Sequence, residues 1–506
     1  MNQNRAYFRL ILFIFLLSLP AITGWGLQGR NLQFSGLILN PVDGYSYLAK
    51  MQQGAEGNWL FQLPFTAIPG EGSLLFVFYL LLGHISRITC LSIPLIFNLT
   101  RILSGVFLFF QIRALINENI AFKNLSKNQA HLFILFSSGM GWIALTAGYK
   151  ATDFWVAEAY PFFSALISPH FTLGMALFLW MINHVLSPLT IAKRVLLVLF
   201  SCILSLTMPF GSVILCMVVG MDWVADKKLR STSTLLQILL LFIPAGFLLG
   251  IQYLETIMHP QLTIWNQQNV TASPPVWDLI LGFSPMILLA LFSLRDLKKF
   301  WQIPGYRLSL IWFASSLLMI LLPFSLQRRF LFGFSIPVTI LGLYVLDQLM
   351  GRIRYASVLR NTILSLPLIT IVMLYMIMGF SILQRSPYTY HTAAEIEAFS
   401  WIDRENTKEL VVLSDEVQAL KIPAMTGQRV FYGHPFETVD AQTKKAQLRN
   451  ILSCDGYTNQ SAYNFLTQER VNVLLLQNAT YESADCLHGN EVVNQNQQFI
   501  YLKMKD

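Results

Sequence analysis

Long apolar runs separated by short polar turns set the pattern of this chain from its N-terminus to about Arg385. A helix that crosses a hydrocarbon core needs roughly 20 mostly apolar residues, because unpaired backbone groups are too costly there. Runs of this kind begin near residues 6, 92, 131, 170, 233, 277, 306, 329 and 360. The run from Val195 to Val224 is longer, but TMPFG (Thr207–Gly211) interrupts it, and proline removes a backbone donor. It reads as two short spans meeting at a turn, which brings the expected crossings to about eleven. Residues 6–25 combine a basic flank with an apolar core, the pattern of a secretory signal peptide as well. With so many spans following, they read as a retained first helix.

SLLFVFYLLLGHIS (Ser73–Ser86) is too short to cross and is expected to lie along the outer surface or to dip in and return. With that segment outside the count, basic residues gather on the side of the N-terminus. They are Arg113, Lys123 and Lys127; Lys193 and Arg194; Lys227, Lys228 and Arg230; Arg295, Lys298, Lys299 and Arg307; and Arg352, Arg354 and Arg360. The positive-inside rule then predicts a cytoplasmic N-terminus; the expected location is a prokaryotic cytoplasmic (inner) membrane. Beyond Arg385 the pattern changes to alternating elements: helical AEIEAFSWIDREN, strand-like ELVVLSD and QRVFYG, an amphipathic stretch, then VNVLLLQ and QQFIYLKM. The expected organisation is an α-helical integral membrane domain over residues 1–384, with an outer loop 27–91 carrying surface helices. A small extracytoplasmic α/β domain follows over 385–506.

Composition supports this reading, since 54% of residues are hydrophobic and 12% charged, against about 25% charge in soluble chains. The formal net charge of +8 is scattered in short clusters, which excludes a nucleic-acid-binding face. The five cysteines show no CxxC or Cys/His spacing, so no zinc site is indicated. Cys454 and Cys486 are able to pair if the tail lies outside the cytoplasm.

The spans carry almost no charge; Arg101 is the main exception and is expected to snorkel outward. Chemistry-bearing residues gather instead in three outer segments. The first is NPVDGYSYLAKMQQGAEGNWL (Asn40–Leu60), with Asp43, Tyr45, Tyr47 and Lys50 and an apolar stripe of Leu48, Met51, Ala55 and Trp59 expected to rest on the bilayer. The second is Ala151–Phe171, with Asp153, Glu158 and His170, and the third is QRRF, with Arg328 and Arg329. Each has a plainer reading. Asp43 suits a helix N-cap, Asp153 and Glu158 suit solvated loop acids, and the two arginines suit headgroup anchors. In the tail, PAMTGQRVFYGHPFET holds His434 and Glu437, which either approach the membrane site or, as the favoured reading, belong to an ordinary strand-to-helix turn.

The first helix, the outer pattern D-x-Y-x-Y-L-A-K-M-x-x-G-x-x-G-x-W from Asp43 to Trp59, the surface helix after it and a second acidic loop two crossings later resemble the GT-C class of polytopic membrane glycosyltransferases. Aminoarabinose and protein O-mannosyl transferases are members of that class. The resemblance implies transfer of a sugar from a polyprenyl-phosphate-type donor to a glycan, lipid or protein acceptor on the extracytoplasmic side. It implies Asp43 as the catalytic base and either Asp153 or Glu158 as the second acidic group. Tyr45, Tyr47, Lys50, His170, Arg328 and Arg329 are the expected substrate contacts, with the cations on the donor phosphate. Many relatives carry two adjacent acids in the first loop, whereas Val42 and Gly44 flank Asp43 here, so a metal-binding pair is not expected at that position. The sequence requires no cofactor and leaves use of a divalent metal open. A transporter or lipid flippase, which would place its working residues near Arg101 and Pro209, and a non-catalytic envelope assembly protein are the alternatives.

Overall fold

The computed structural model describes residues 2–323, 325–352, 355–405 and 410–504; Arg354 lies outside the described residues. The chain divides into two compact units. The first comprises Met1–Pro20, Leu99–Gly250 and Thr271–Gly379, and the second Ala21–Asn98, Ile251–Val270 and Phe380–Asp506.

The first unit is helical. Among the described residues of the whole chain, five helices are long and apolar enough to cross a membrane. They lie within Ala6–Gly26, Ile93–Asn119, Thr232–Met258, Pro304–Leu321 and Ala356–Leu383. Val276–Phe283 and Met286–Gln302, bent by 102° at their junction, make a sixth if taken as one span. The protein is therefore an integral membrane protein. The expected count of about eleven includes helices that this length test does not pass. Pro169–His184, Ile191–Thr207, Pro209–Ala225 and Ser335–Met350 have 16 or 17 residues. At about 1.5 Å per residue these reach roughly 24–26 Å, short of a 30 Å core. The break at TMPFG falls at Met208, which leaves the helical region at φ −140° and ψ 73° with Pro209 opening the next helix.

Arg101 does not snorkel. It is buried and donates to the carbonyls of Ala165 (2.7 Å) and Leu17 (3.1 Å). Ala165 lies in the last turn of Pro161–Ile167, where carbonyls lack intrahelical partners, so the guanidinium is satisfied inside the protein. Pro20 likewise removes the donor due to the Leu16 carbonyl, and the Tyr375 hydroxyl supplies one at 2.7 Å.

In the second unit, β1 (Leu32–Phe34) pairs antiparallel with β2 (Tyr390–Thr392), so the outer loop and the start of the tail share a ladder. The tail folds around a five-stranded sheet. Its strands are β3 (Val411–Ser414), β4 (Arg429–Val430), β5 (Val473–Gln477), β6 (Glu491–Gln495) and β7 (Phe499–Lys503), in the order β4-β3-β5-β7-β6. β3 is parallel to β4 and β5, and β7 is antiparallel to β5 and β6. Leu413, Leu474, Leu476 and Leu502 form its core with Leu448 and Leu466 of flanking helices. Cys454 and Cys486 are joined as a disulfide against that core. β6 is not legible in the sequence, because all five of its residues are exposed and EVVNQ shows no alternation.

The Asn40–Leu60 stretch also belongs to this unit. Its helix, here α1 (Pro41–Ala55), packs on α2 (Val77–Thr89), with Gly54 set against Leu80 and Gly83 against Met51. α1 is buried from Gly44 to Met51, so Leu48 and Met51 pack within the protein and the expectation that they rest on lipid is corrected. The exposed apolar stripe lies instead on α2, at Leu81, Ile85 and Ile88. Nor does Asp43 cap the helix. Asn40, in the left-handed region at φ 47°, is the N-cap, and Asp43 sits in the first turn.

Candidate functional site

Asp43, Ser46 and Lys50 stand at i, i+3 and i+7 on α1 and therefore share one face. Asn40 Nδ2 donates to Asp43 Oδ2 at 2.6 Å, which holds the carboxylate beside the helix N-terminus, where negative charge is favoured. The Asp43 side chain remains 39% exposed. Opposite it stands His434, almost fully buried, with Nε2 3.8 Å from Asp43 Oδ1. His434 Nδ1 accepts from the backbone N–H groups of Phe436 and Glu437, both at 3.1 Å. An Nδ1 that accepts two N–H donors carries no hydrogen, so the neutral ring holds its proton on Nε2, which faces Asp43 and the Val42 backbone. Thr438 Oγ1 accepts from the N–H groups of Gly433 and His434 and closes the same turn.

Three residues on, Glu437 Oε1 accepts from Lys50 Nζ at 2.7 Å and from Ser46 Oγ at 2.5 Å. Lys50 is wholly buried, and its ammonium lies 4.0 Å from the ring centre of Phe76. Burial raises the Glu437 carboxyl, but Lys50, His434 and the Ser46 hydroxyl outweigh it and hold the group below its ordinary range. Burial lowers His434 against the opposing pull of Glu437 and Asp43, so the imidazole is neutral at pH 7. A second buried chain starts at Tyr45, whose hydroxyl donates to the Tyr388 carbonyl at 2.9 Å and lies 3.4 Å from His391 Nε2. His391 meets Glu395 at 3.3 Å, and Glu395 meets Lys421 at 2.6 Å. Tyr47 stacks on Tyr79 with centroids 4.6 Å apart. Tyr45, Tyr47 and Lys50 thus face into the protein.

The first unit holds the other sequence candidates. Asp153 is buried; its Oδ2 accepts from Gly141 N–H (3.1 Å) and the Thr370 hydroxyl (2.7 Å). Burial pushes this carboxyl up to about 6 despite those donors. Glu158 is also buried, but it faces cations, with Arg329 Nη1 at 3.2 Å and Arg328 Nε at 3.9 Å from Oε1. The Arg328 guanidinium lies 4.5 Å from the ring centre of Trp155. His170 Nδ1 meets Ser168 Oγ at 2.5 Å. Asp153 and Glu158 are therefore not solvated loop acids. Only Glu158 is brought to the arginine pair.

Among the described residues no three His, Cys, Asp or Glu side chains gather as a metal centre. His434 and Glu437, for which the sequence favours an ordinary turn, reach Asp43 and Lys50 from that turn. Ser46 carries little signal in the sequence beyond its spacing from Asp43 and Lys50, which marks the shared face.

No protein-family model matches the chain, and no curated protein matches it in sequence. Solved structures do match. ArnT from Cupriavidus metallidurans in the apo state aligns over 98% of this chain and 98% of its own, with a TM-score of 0.51 and 12% identity. The oligosaccharyltransferase of Archaeoglobus fulgidus, in a complex with zinc and sulfate, aligns over 92% of this chain and 67% of its own, at a TM-score of 0.50 and 12% identity. A variant of the mycobacterial arabinofuranosyltransferase AftD aligns over 98% of this chain, at a TM-score of 0.53 and 11% identity; this chain spans 41% of AftD's length. The fold of this chain is accordingly that of the GT-C glycosyltransferases.

Proposed function

We propose that the protein is a membrane glycosyltransferase that moves a sugar from a polyprenyl-phosphate-type lipid to an acceptor on the extracytoplasmic side, with inversion and with Asp43 as general base. One observation carries the reading: Asp43 presents a part-exposed carboxylate on a buried, rigidly held helix, with a neutral histidine behind it. The acceptor hydroxyl gives its proton to Asp43 as its oxygen attacks the anomeric carbon. The bond from that carbon to the phosphate oxygen breaks, and its electron pair leaves on the polyprenyl phosphate. Arg328 and Arg329, which Glu158 meets within the first unit, are the residues proposed for the donor phosphate, and that pairing supports Glu158 over Asp153 as the second-loop acid. ArnT from Cupriavidus metallidurans, whose apo fold this chain shares, has been seen bound to undecaprenyl phosphate.

The reading includes about eleven crossings, counting the shorter helices, a membrane domain over 1–384 and a tail over 385–506 outside a prokaryotic inner membrane. The Cys454–Cys486 disulfide supports an oxidising side for the tail. The exposed Leu81, Ile85 and Ile88 support α2 resting on the bilayer surface. A transport reading loses its main residue, since Arg101 is engaged by backbone carbonyls.

The test is transfer from polyprenyl-phosphate-linked mannose, arabinofuranose and 4-amino-arabinose by purified protein. Asp43→Asn is expected to cut turnover by about 10²–10⁴-fold while leaving the melting temperature in detergent near that of the wild type. A folded Asp43→Asn variant with near-normal transfer refutes the assignment.

A further inference from the structure

The tail reaches α1 through a matched pair of spacings. Asp43 and Lys50 share a face of α1, and His434 and Glu437, three residues apart in GHPFET, meet them one to one, at 3.8 Å and 2.7 Å. We infer that His434 is a positioning residue for Asp43: its Nε2–H orients the carboxylate, and the buried Lys50–Glu437 pair holds the turn that aims it. The inference rests on the reading of Asp43 as the base and assigns part of that site to the tail.

The geometry is one of preorganisation. The two N–H donors on Nδ1 fix both the ring plane and the tautomer, so the Nε2–H is directed without the histidine having to search for a pose. Nε2 is buried and makes no close hydrogen bond; the Val42 backbone and the Asp43 carboxylate, 3.8 Å away, are the acceptors that face it, and the N–H turns to the carboxylate when substrate binds. The charged groups that face the ring are Asp43 and Lys50 from α1 and Glu437 from its own turn; the remaining walls include Phe65 and Phe436. Ser46 and Lys50 both donate to Glu437 Oε1, so the anchor of the turn is itself held by two donors from α1. His434 touches the base rather than the reacting atoms, so its contribution belongs in kcat rather than in KM.

His434→Asn separates the two ring functions. The Asn side-chain oxygen replaces Nδ1 as the acceptor for Phe436 and Glu437, and the Nε2–H is lost. With whichever of the three polyprenyl-phospho-sugars above is turned over, kcat is expected to fall about tenfold with KM little changed. In an Asp43→Asn background the same change should have no further effect. A second readout needs no substrate: in protein labelled with 13C,15N-histidine, the signal that disappears in His434→Asn should report an Nε2–H tautomer and should titrate at lower pH in Asp43→Asn. A folded His434→Asn enzyme with wild-type kcat overturns the inference, as does an Nδ1–H tautomer or a His434 titration indifferent to Asp43. Transfer surviving in Asp43→Asn, with the histidine coupling intact, instead overturns the base assignment alone.

Discussion

Lys50 has no exposed surface, and its charge is met by one carboxylate nearly 400 positions away in sequence. Removing one member of such a pair leaves the other charge buried and uncompensated, a loss of about 3–5 kcal/mol. Glu437→Ala and Lys50→Ala are therefore each expected to lower the unfolding midpoint in detergent strongly, and Lys50→Met with Glu437→Leu to recover most of the loss. Similar midpoints for the single and double variants would show that the pair is not coupled. Asp153 behaves in the opposite sense. Burial holds its folded-state carboxyl up near 6, above the ordinary aspartate range, so the folded state binds the proton more tightly than the unfolded chain does. Stability from this group is fully present below the unfolded pKa and is lost as pH rises through about 6. Asp153→Asn should flatten that part of the stability profile, hold its melting temperature at pH 7 to 8, and keep transfer activity. Loss of transfer in a folded Asp153→Asn would return the second acidic role to Asp153. At this scale the sequence made Asp43, Lys50, Glu158 and the arginines visible as polar residues in an apolar chain. It could not show which of them pair, because pairing depends on contacts between distant segments.

α1 and α2 meet at a distance that only glycine permits. A methyl on Gly54 would lie 2.0 Å from the Leu80 carbonyl oxygen, and one on Gly83 1.9 Å from that of Met51. Both obstacles are backbone and have little room to yield, so Gly54→Ala and Gly83→Ala are each expected to cost at least about 1–3 kcal/mol. Gly44→Ala is the milder comparison, since the nearest atoms its methyl would meet, at 2.8 Å, belong to the Leu37 side chain, which can yield where backbone cannot. Equal melting temperatures for all three variants would mean that the helix contact is looser than the structure has it. The glycine of K-M-x-x-G was legible as part of a motif, and this close approach is its physical cause. The burial of α1 was less legible. Its apolar stripe suits a lipid surface and a protein surface equally well, and hydrophobic spacing does not name the partner. β6 escaped for a related reason: an exposed edge strand carries no alternation to read.

For the whole molecule, the sidedness of the tail is open to direct measurement. If the tail is extracytoplasmic, Cys454 and Cys486 should be inert to thiol reagents until reduced, then react with a membrane-impermeant maleimide in spheroplasts. Labelling that requires permeabilised membranes would reverse the orientation. The sequence by itself determined that the chain crosses a membrane many times, that a small α/β region follows the spans, and that Asp43 opens a helix rich in polar and aromatic residues. These are local properties, set by hydropathy and periodicity within about twenty residues. Only the tertiary structure decided that Asn40 rather than Asp43 caps that helix, that Glu158 rather than Asp153 faces the arginines, and that His434 and Glu437 come from the tail to meet Asp43 and Lys50. Each of those outcomes depends on which buried polar groups satisfy one another, and that is fixed by packing between segments far apart in the chain.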